Sequence, residues 1–314
     1  MSVTDITGVE SRLSLTSLKG ILMKVFVTGA SGFVGSALLP ELIAAGHDVV
    51  GLVRSDASAA TVEAAGAEPL RGDLDDLDTL RAGASASDGV VHLAYRHDFS
   101  DAEAAVRSDR AAIDAMGSAL TGSGKPFVIA SGTPIVPGRP SVETDDPEDG
   151  PLVARLETAR RFFALSEQGV RTTSVRLPRT VHDDEGRGGF AGMLVRIARE
   201  TGVSGYVGDG EARWPAVHVA DAARLFRIAL ERSSARGVVH AVDEEGVALR
   251  DTATAIGRAL GVPVQAVPAE SLGLLGALAT VDQPASSALT QEQFGWQPSG
   301  RRLLDALGRA GSAV

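Results

Sequence analysis

The chain has 314 residues, 44% apolar and 22% charged, which is enough to bury a large core without covalent staples. Its 30 Lys+Arg against 40 Asp+Glu give a net charge of −10, so a phosphate backbone would repel it, and nucleic acid is not an expected partner. With no cysteine, a disulfide framework, a thiolate zinc site and a cysteine nucleophile are all excluded.

Residues 1–22 are rich in Ser and Thr, include Asp5 and Glu10, and lack an apolar stretch of signal-peptide length. They read as a disordered extension or an over-long start, with a functional arm as the alternative. The fold begins at Met23. From there short β-branched runs alternate with Ala- and Leu-rich stretches, the pattern of βαβ units and a parallel sheet. Strands are predicted at 24–28, 48–53, 68–71, 89–93, 126–130 and 171–176. Helices are predicted at 33–45, 57–65, 74–81, 102–120 and 151–168, with Gly46, Gly66 and Gly169 just past three of the ends. Pro40 falls inside the first helix, where it removes one backbone bond and should kink it. Beyond residue 178 the pattern loosens. Helices are predicted at 191–201, 219–231 and 249–260, and a strand at 237–242, while 205–214 reads as a Gly-rich turn region. The expected division is 23–178 as a dinucleotide-binding core and 179–314 as a mixed substrate lobe that returns elements to the core. No apolar run reaches the roughly 18 residues of a membrane span, so no membrane partner and a cytoplasmic location are expected.

The sharpest motif is Thr28-Gly29-Ala30-Ser31-Gly32-Phe33-Val34-Gly35, between a predicted strand and a predicted helix. Gly29 suits a tight turn, Gly32 a close approach of backbone to pyrophosphate, and Gly35 close packing of helix on sheet. Free N–H groups at the helix start would hold the phosphates.

The Gly-x-x-Gly-x-x-Gly spacing after Thr28 resembles the short-chain dehydrogenase/reductase superfamily, in its extended and atypical branch of NAD-dependent epimerases and dehydratases. The resemblance runs from Lys24 to about Gly300. It implies a Rossmann-type, doubly wound α/β fold with a smaller C-terminal lobe. It also implies that Asp73 and Leu74 bracket the adenine, that Leu93, Ala94 and Tyr95 line the cofactor, and that Arg176-Leu177-Pro178 flanks the nicotinamide. Val217-His218-Val219-Ala220-Asp221 resembles a segment that begins a late helix. There Asp221 is expected to cap the helix and His218 to be a satisfied interior histidine.

The second strand ends Leu52-Val53-Arg54-Ser55, with no acid before Asp56. An acid at that end accepts from the ribose 2′-OH of NAD, whereas a base accommodates the 2′-phosphate of NADP. Arg54 and Ser55 therefore favour NADP(H) over NAD(H). The alternative has Arg54 solvated and Asp56 reaching the ribose.

The superfamily's proton carrier is a tyrosine in Tyr-x-x-x-Lys, which this chain does not have. Its two tyrosines, Tyr95 and Tyr206, are followed four places on by Phe99 and Gly210, and its lysines are Lys19, Lys24 and Lys125. Val153 and Glu157 fall near the positions of the pair. By spacing to Gly138, Thr133 takes the place of the residue that orients the substrate, with Ser131 beside it. Tyr95 and His97 follow the fourth strand at the carboxyl edge, where ligands bind. Thr133, Tyr95 and His97 are thus the candidate catalytic residues, and each has the plainer reading of a loop residue. His182 is a further histidine near the nicotinamide end. No metal site is expected.

Two classes of function remain. One is an NADP(H)-dependent oxidoreductase of a small carbonyl or alcohol, with an epimerase or dehydratase as its variant. The other is a non-catalytic NADP-binding redox sensor, similar to NmrA-like regulators. The helices 102–120 and 151–168 suit pairing in a homodimer, and equally suit cover within one chain.

Overall fold

The computed structural model describes residues 22–96, 101–146, 153–232 and 236–311. The N-terminal extension, apart from Leu22, and the candidate His97 lie outside the described residues.

The first half alternates strand and helix: β1 (Lys24–Thr28), α1 (Phe33–Ala44), β2 (Asp48–Val53), α2 (Asp56–Ala64), β3 (Glu68–Arg71), α3 (Leu77–Ser85), β4 (Gly89–His92), α4 (Ala102–Leu120), β5 (Pro126–Gly132), α5 (Val153–Ala164) and β6 (Arg171–Leu177). The second half brings β7 (Thr180–His182), α6 (Gly189–Thr201), β8 (Ser204–Tyr206), β9 (Arg213–His218), α7 (Val219–Arg232), β10 (Arg236–His240), β11 (Glu244–Ala248), α8 (Leu249–Leu260), β12 (Val264–Ala266), α9 (Leu275–Leu278), α10 (Ala288–Phe294) and α11 (Leu303–Leu307).

Seven parallel strands form one sheet in the order β10-β6-β5-β4-β1-β2-β3. The chain steps outward from β1 through β2 and β3, then returns to β4 and steps the other way. The order therefore reverses between β1 and β4, and an open α/β sheet binds ligands outside the carboxyl ends at such a point. The period of two along a strand splits the core. Val25 and Val27 of β1 pack with Leu38 and Leu42 of α1 and Phe226 of α7 on one face. Phe26 packs with Ile113, Met116 and Phe162 on the other. Strands covered on both faces need no polar residues, which is why β1, β4 and β5 are nearly continuous apolar runs.

The lobe has its own core, in which Trp214, Leu249, Ile256, Leu275, Leu303 and Leu307 meet. It holds a three-stranded sheet, β11-β9-β7, and a two-stranded one, β12-β8.

Several boundaries differ from expectation for local reasons. The helix expected at 74–81 starts at Leu77, because Asp73 folds its own turn and the Asp76 carboxylate caps the helix at Thr79 N–H (3.2 Å). The region 205–214 is not simply a turn. It holds part of β8 and the start of β9, strands too short and too interrupted by Gly and Pro to show alternation. The helix expected at 151–168 ends as an α-helix at Ala164 and closes with a 3-10 turn at Leu165–Gln168. α1 runs on past Pro40. Among the described residues, no helix is long and apolar enough to cross a membrane.

Candidate active site

Gly29 turns at a φ of +69°, where only glycine is unstrained, and its missing Cβ would lie 2.7 Å from the amide nitrogen of Ala94. A Cβ on Gly35 would stand 2.2 Å from the carbonyl oxygen of Gly29. Each of these glycines is thus required by a close backbone approach. The turn is closed by Gly32 N–H donating to Gly29 C=O at 2.9 Å. α1 then begins at Phe33 with no side chain capping it, so the first-turn N–H groups around Phe33 and Val34 are donors without a side-chain acceptor. A pyrophosphate fits this cradle. Ser31 is half-buried in the turn, and Phe33 is exposed at its rim.

The strand beside it is pinned from below. The Thr28 hydroxyl lies 2.6 Å from His92 Nδ1, and His92 Nε2 lies 3.1 Å from the Asp109 carboxylate on α4. An ionised carboxylate only accepts, so His92 carries its proton on Nε2, and the Thr28 hydroxyl donates to Nδ1. Thr28 Oγ1 in turn accepts from Ala94 N–H at 3.3 Å, which holds Leu93 and Ala94 against Gly29.

At the end of β2, Arg54 is exposed. The acid two residues on, Asp56, is engaged by Arg71 at the end of β3. Ser55 spends its hydroxyl on the N-terminus of α2, accepting from Ser58 N–H at 3.2 Å. Asp73 accepts from the N–H groups of Asp75 (2.8 Å) and Asp76 (3.2 Å), and Leu74 is buried beside it.

The remaining candidates follow the next strands along the same edge. Tyr95 is half-buried just past β4. Ser131 in β5 is hydrogen-bonded to Ser174 of β6 at 2.7 Å. Thr133 continues the β5–β6 ladder through its N–H to Leu177 C=O (3.0 Å) and is only 6% exposed. Gln283, from the far end of the chain, donates to its carbonyl at 2.6 Å and lies 3.4 Å from its hydroxyl. Pro178 is buried behind it. Gly29, Leu93–Tyr95, Ser131–Thr133 and Pro178 are therefore brought together along neighbouring strand ends, with Arg54 and Asp73 at the β2–β3 side.

Three features carried no local sequence signal. First, Gln283 also accepts from Nε of Arg179, whose guanidinium carbon lies 5.4 Å from the centre of the Trp214 ring. Burial pulls the Arg179 pKa down to about 10. Second, Arg176 does not face a ligand. It is buried with Glu143 and His240, donating to the carbonyl of Asp145 at 2.8 Å, and it ties the segment after Thr133 to the sheet. Third, the 183–189 loop comes down on the glycine turn: a Cβ on Gly188 would lie 2.2 Å from the Phe33 ring. The loop is shaped by the Asp183 carboxylate, which accepts from Arg187 N–H and Nε, each at 2.8 Å.

His182 is 1% exposed, edge-on to His218 at 5.6 Å, with Nδ1 on the carbonyl of Asp183 (3.0 Å). Burial lowers its pKa, and it belongs to the lobe's packing. His218 is interior, as expected, while the expected role of Asp221 is revised. His218 Nδ1 accepts from Ala220 N–H (3.2 Å) at the start of α7. The buried Asp221 carboxylate instead clamps the N–H groups of Ser299 (3.0 Å) and Gly300 (2.7 Å).

Residues 25–242 match the model of the NAD dependent epimerase/dehydratase family. The chain belongs to this family. It is 43% identical to an uncharacterized protein of Schizosaccharomyces pombe, over 91% of this chain and 98% of that one. It is 28% identical to the 2'-dehydrokanamycin reductase of Streptomyces kanamyceticus, over 84% of this chain and 74% of the relative. In fold it is similar to UDP-glucose 4-epimerase of Thermotoga maritima solved with UDP-glucose, with a TM-score of 0.75, 18% identity, and cover of 92% of this chain and 97% of that one.

Within the family fold, the two described lysines stand at the wrong edge for the Tyr-x-x-x-Lys role. Lys24 opens β1 and pairs with Glu68, and Lys125 precedes β5 and donates to Ser87 C=O at 2.6 Å. Both lie at the amino ends of the strands, opposite the glycine turn. Among the described residues there is no cluster of three or more His, Asp or Glu able to hold a metal ion.

Proposed function

We propose that this family member is an NADP(H)-dependent oxidoreductase acting on a small carbonyl or alcohol. The observation that carries the reading is the glycine turn with its uncapped helix, beside an exposed Arg54 whose neighbouring acid is taken by Arg71. The N–H groups of α1 would hold the pyrophosphate, and Arg54 the 2′-phosphate. When bound, NADPH supplies the hydride that reduces a carbonyl carbon, and a proton on the oxygen completes the alcohol. The residues of this chain position the partners. His92 and Thr28 fix the backbone that lines the turn, Thr133 stands at the end of β5, and Tyr95 is assigned the proton.

The missing lysine favours a second reading, a dinucleotide sensor without turnover. Following NADPH absorbance against a panel of ketones and aldehydes separates the two. Oxidation that Tyr95→Phe slows in kcat, at unchanged KM, supports the enzyme. Tight NADPH binding with no oxidation across the panel supports the sensor.

A further inference from the structure

Three arginines of the lobe side, Arg176 buried, Arg179 half-buried and Arg213 exposed, differ in how their charge is answered. Arg176 donates to the carbonyls of Glu143 and Asp145 and lies 4.0 Å from the Asp146 carboxylate. Arg213 holds Asp282 with two hydrogen bonds, at 3.1 and 2.8 Å. Arg179 has neither arrangement. It follows Pro178 at the carboxyl end of β6, stacks over Trp214, and donates through Nε to Gln283. Its Nη1 is buried and has no hydrogen-bond partner, and no carboxylate among the described residues pairs with it. The indole N–H of Trp214, the ring on which it stacks, is likewise buried without an acceptor.

Two desolvated donors in one cluster, one of them a cation, are costly unless an acceptor arrives. Gln283 links this cluster directly to Thr133 at the end of β5. We propose that Arg179, with Trp214 beneath it, binds an oxyanion on the substrate, so that the carbonyl compound turned over here carries a carboxylate or phosphate group. The proposal rests on the oxidoreductase reading for the word "substrate". The planar fork of a guanidinium matches either group, and a buried site strengthens the pairing.

The test compares wild type, Arg179→Gln and Arg179→Lys by calorimetric titration with oxalate and, separately, inorganic phosphate, each with and without saturating NADPH. Gln retains a donor for Gln283, and melting temperatures report whether the fold survives. The expected result is saturable binding of one oxyanion to wild type. Arg179→Gln should weaken it by roughly tenfold or more, Arg179→Lys by less, with NADPH affinity unchanged in both. Tighter oxalate assigns a carboxylate, and tighter phosphate assigns a phosphate monoester. On the carbonyl panel, Arg179→Gln should raise KM for anionic compounds and leave neutral ones unchanged. Equal oxyanion binding by wild type and Arg179→Gln, or none by wild type, would overturn the proposal. Failure of NADPH to bind would count against the oxidoreductase reading instead, and the titrations without NADPH would still judge Arg179.

Discussion

The ligand edge of the sheet is built in two ways. From β2 to β4 it is backbone: a turn that needs Gly29, a helix seated on Gly35, and N–H groups left open at Phe33 and Val34. From β5 to β7 it is side chains drawn from distant parts of the chain, with Gln283 reaching back across 150 residues to Thr133 and also meeting Arg179. A backbone site recognises what all dinucleotides share, so its geometry is common to the fold. A side-chain site recognises what one substrate has, and it can change without disturbing the sheet.

Four substitutions sharpen that contrast. The largest effect is expected at the backbone half. Gly35→Ala places a methyl 2.2 Å from the Gly29 carbonyl oxygen, a clash with main chain that cannot swing away. It should cost about 1–3 kcal/mol in urea denaturation and abolish NADPH binding. Arg54→Ala should weaken NADPH by roughly ten- to a hundredfold, the worth of a charge-assisted hydrogen bond, and leave NADH unchanged. Equal losses for both cofactors would place Arg54 outside the ribose site.

The next concerns acid stability at the side-chain half. Burial drops the His240 pKa from 6.5 to about 4, Arg176 adds to the drop, and Glu143 opposes it. The unfolded chain therefore binds a proton between pH 6.5 and about 4 that the folded chain does not, and stability should fall with pH across that window. His240→Gln should flatten the fall. The hydrogen bond from Arg139 brings Asp145 to about 2. Its contribution is present above pH 4 and is lost as pH falls further, so a second decline should remain in the variant. Stability curves that coincide from pH 6.5 to 4 would remove His240 from the account. The smallest effect is expected from Arg71→Gln, which frees Asp56 toward the ribose. An exposed pair is worth at most about 1 kcal/mol, so NADH should gain no more than about fivefold.

What was legible in the sequence divides along the same line. The glycine spacing, the β-branched runs and the Arg54-Ser55 end are local, and βαβ periodicity reports them within a short window. The doubly wound fold came with the family resemblance that these residues carry, and the strand order came only with the structure. In the lobe the helices at 191–201 and 249–260 were legible, but the short strands were not. β8 and β9 are strands because partners elsewhere in the chain complete them, and Pro215 and Gly205 hide them from a periodicity reading. Asp221 looked like a helix cap but holds Ser299 and Gly300, because a carboxylate buried at a helix start bonds whatever N–H groups the fold delivers. Nothing in the residues next to Arg179 marks its partial burial. Its burial against Trp214 depends on a contact across 35 positions that leaves no local pattern.

The most direct test is a calorimetric titration of NADPH and NADH into the wild-type protein. The account predicts saturable binding of both at one site, with NADPH tighter by roughly tenfold or more. NADH binding as tightly as NADPH would contradict the role given to Arg54, and binding of neither would contradict the reading of the glycine turn itself.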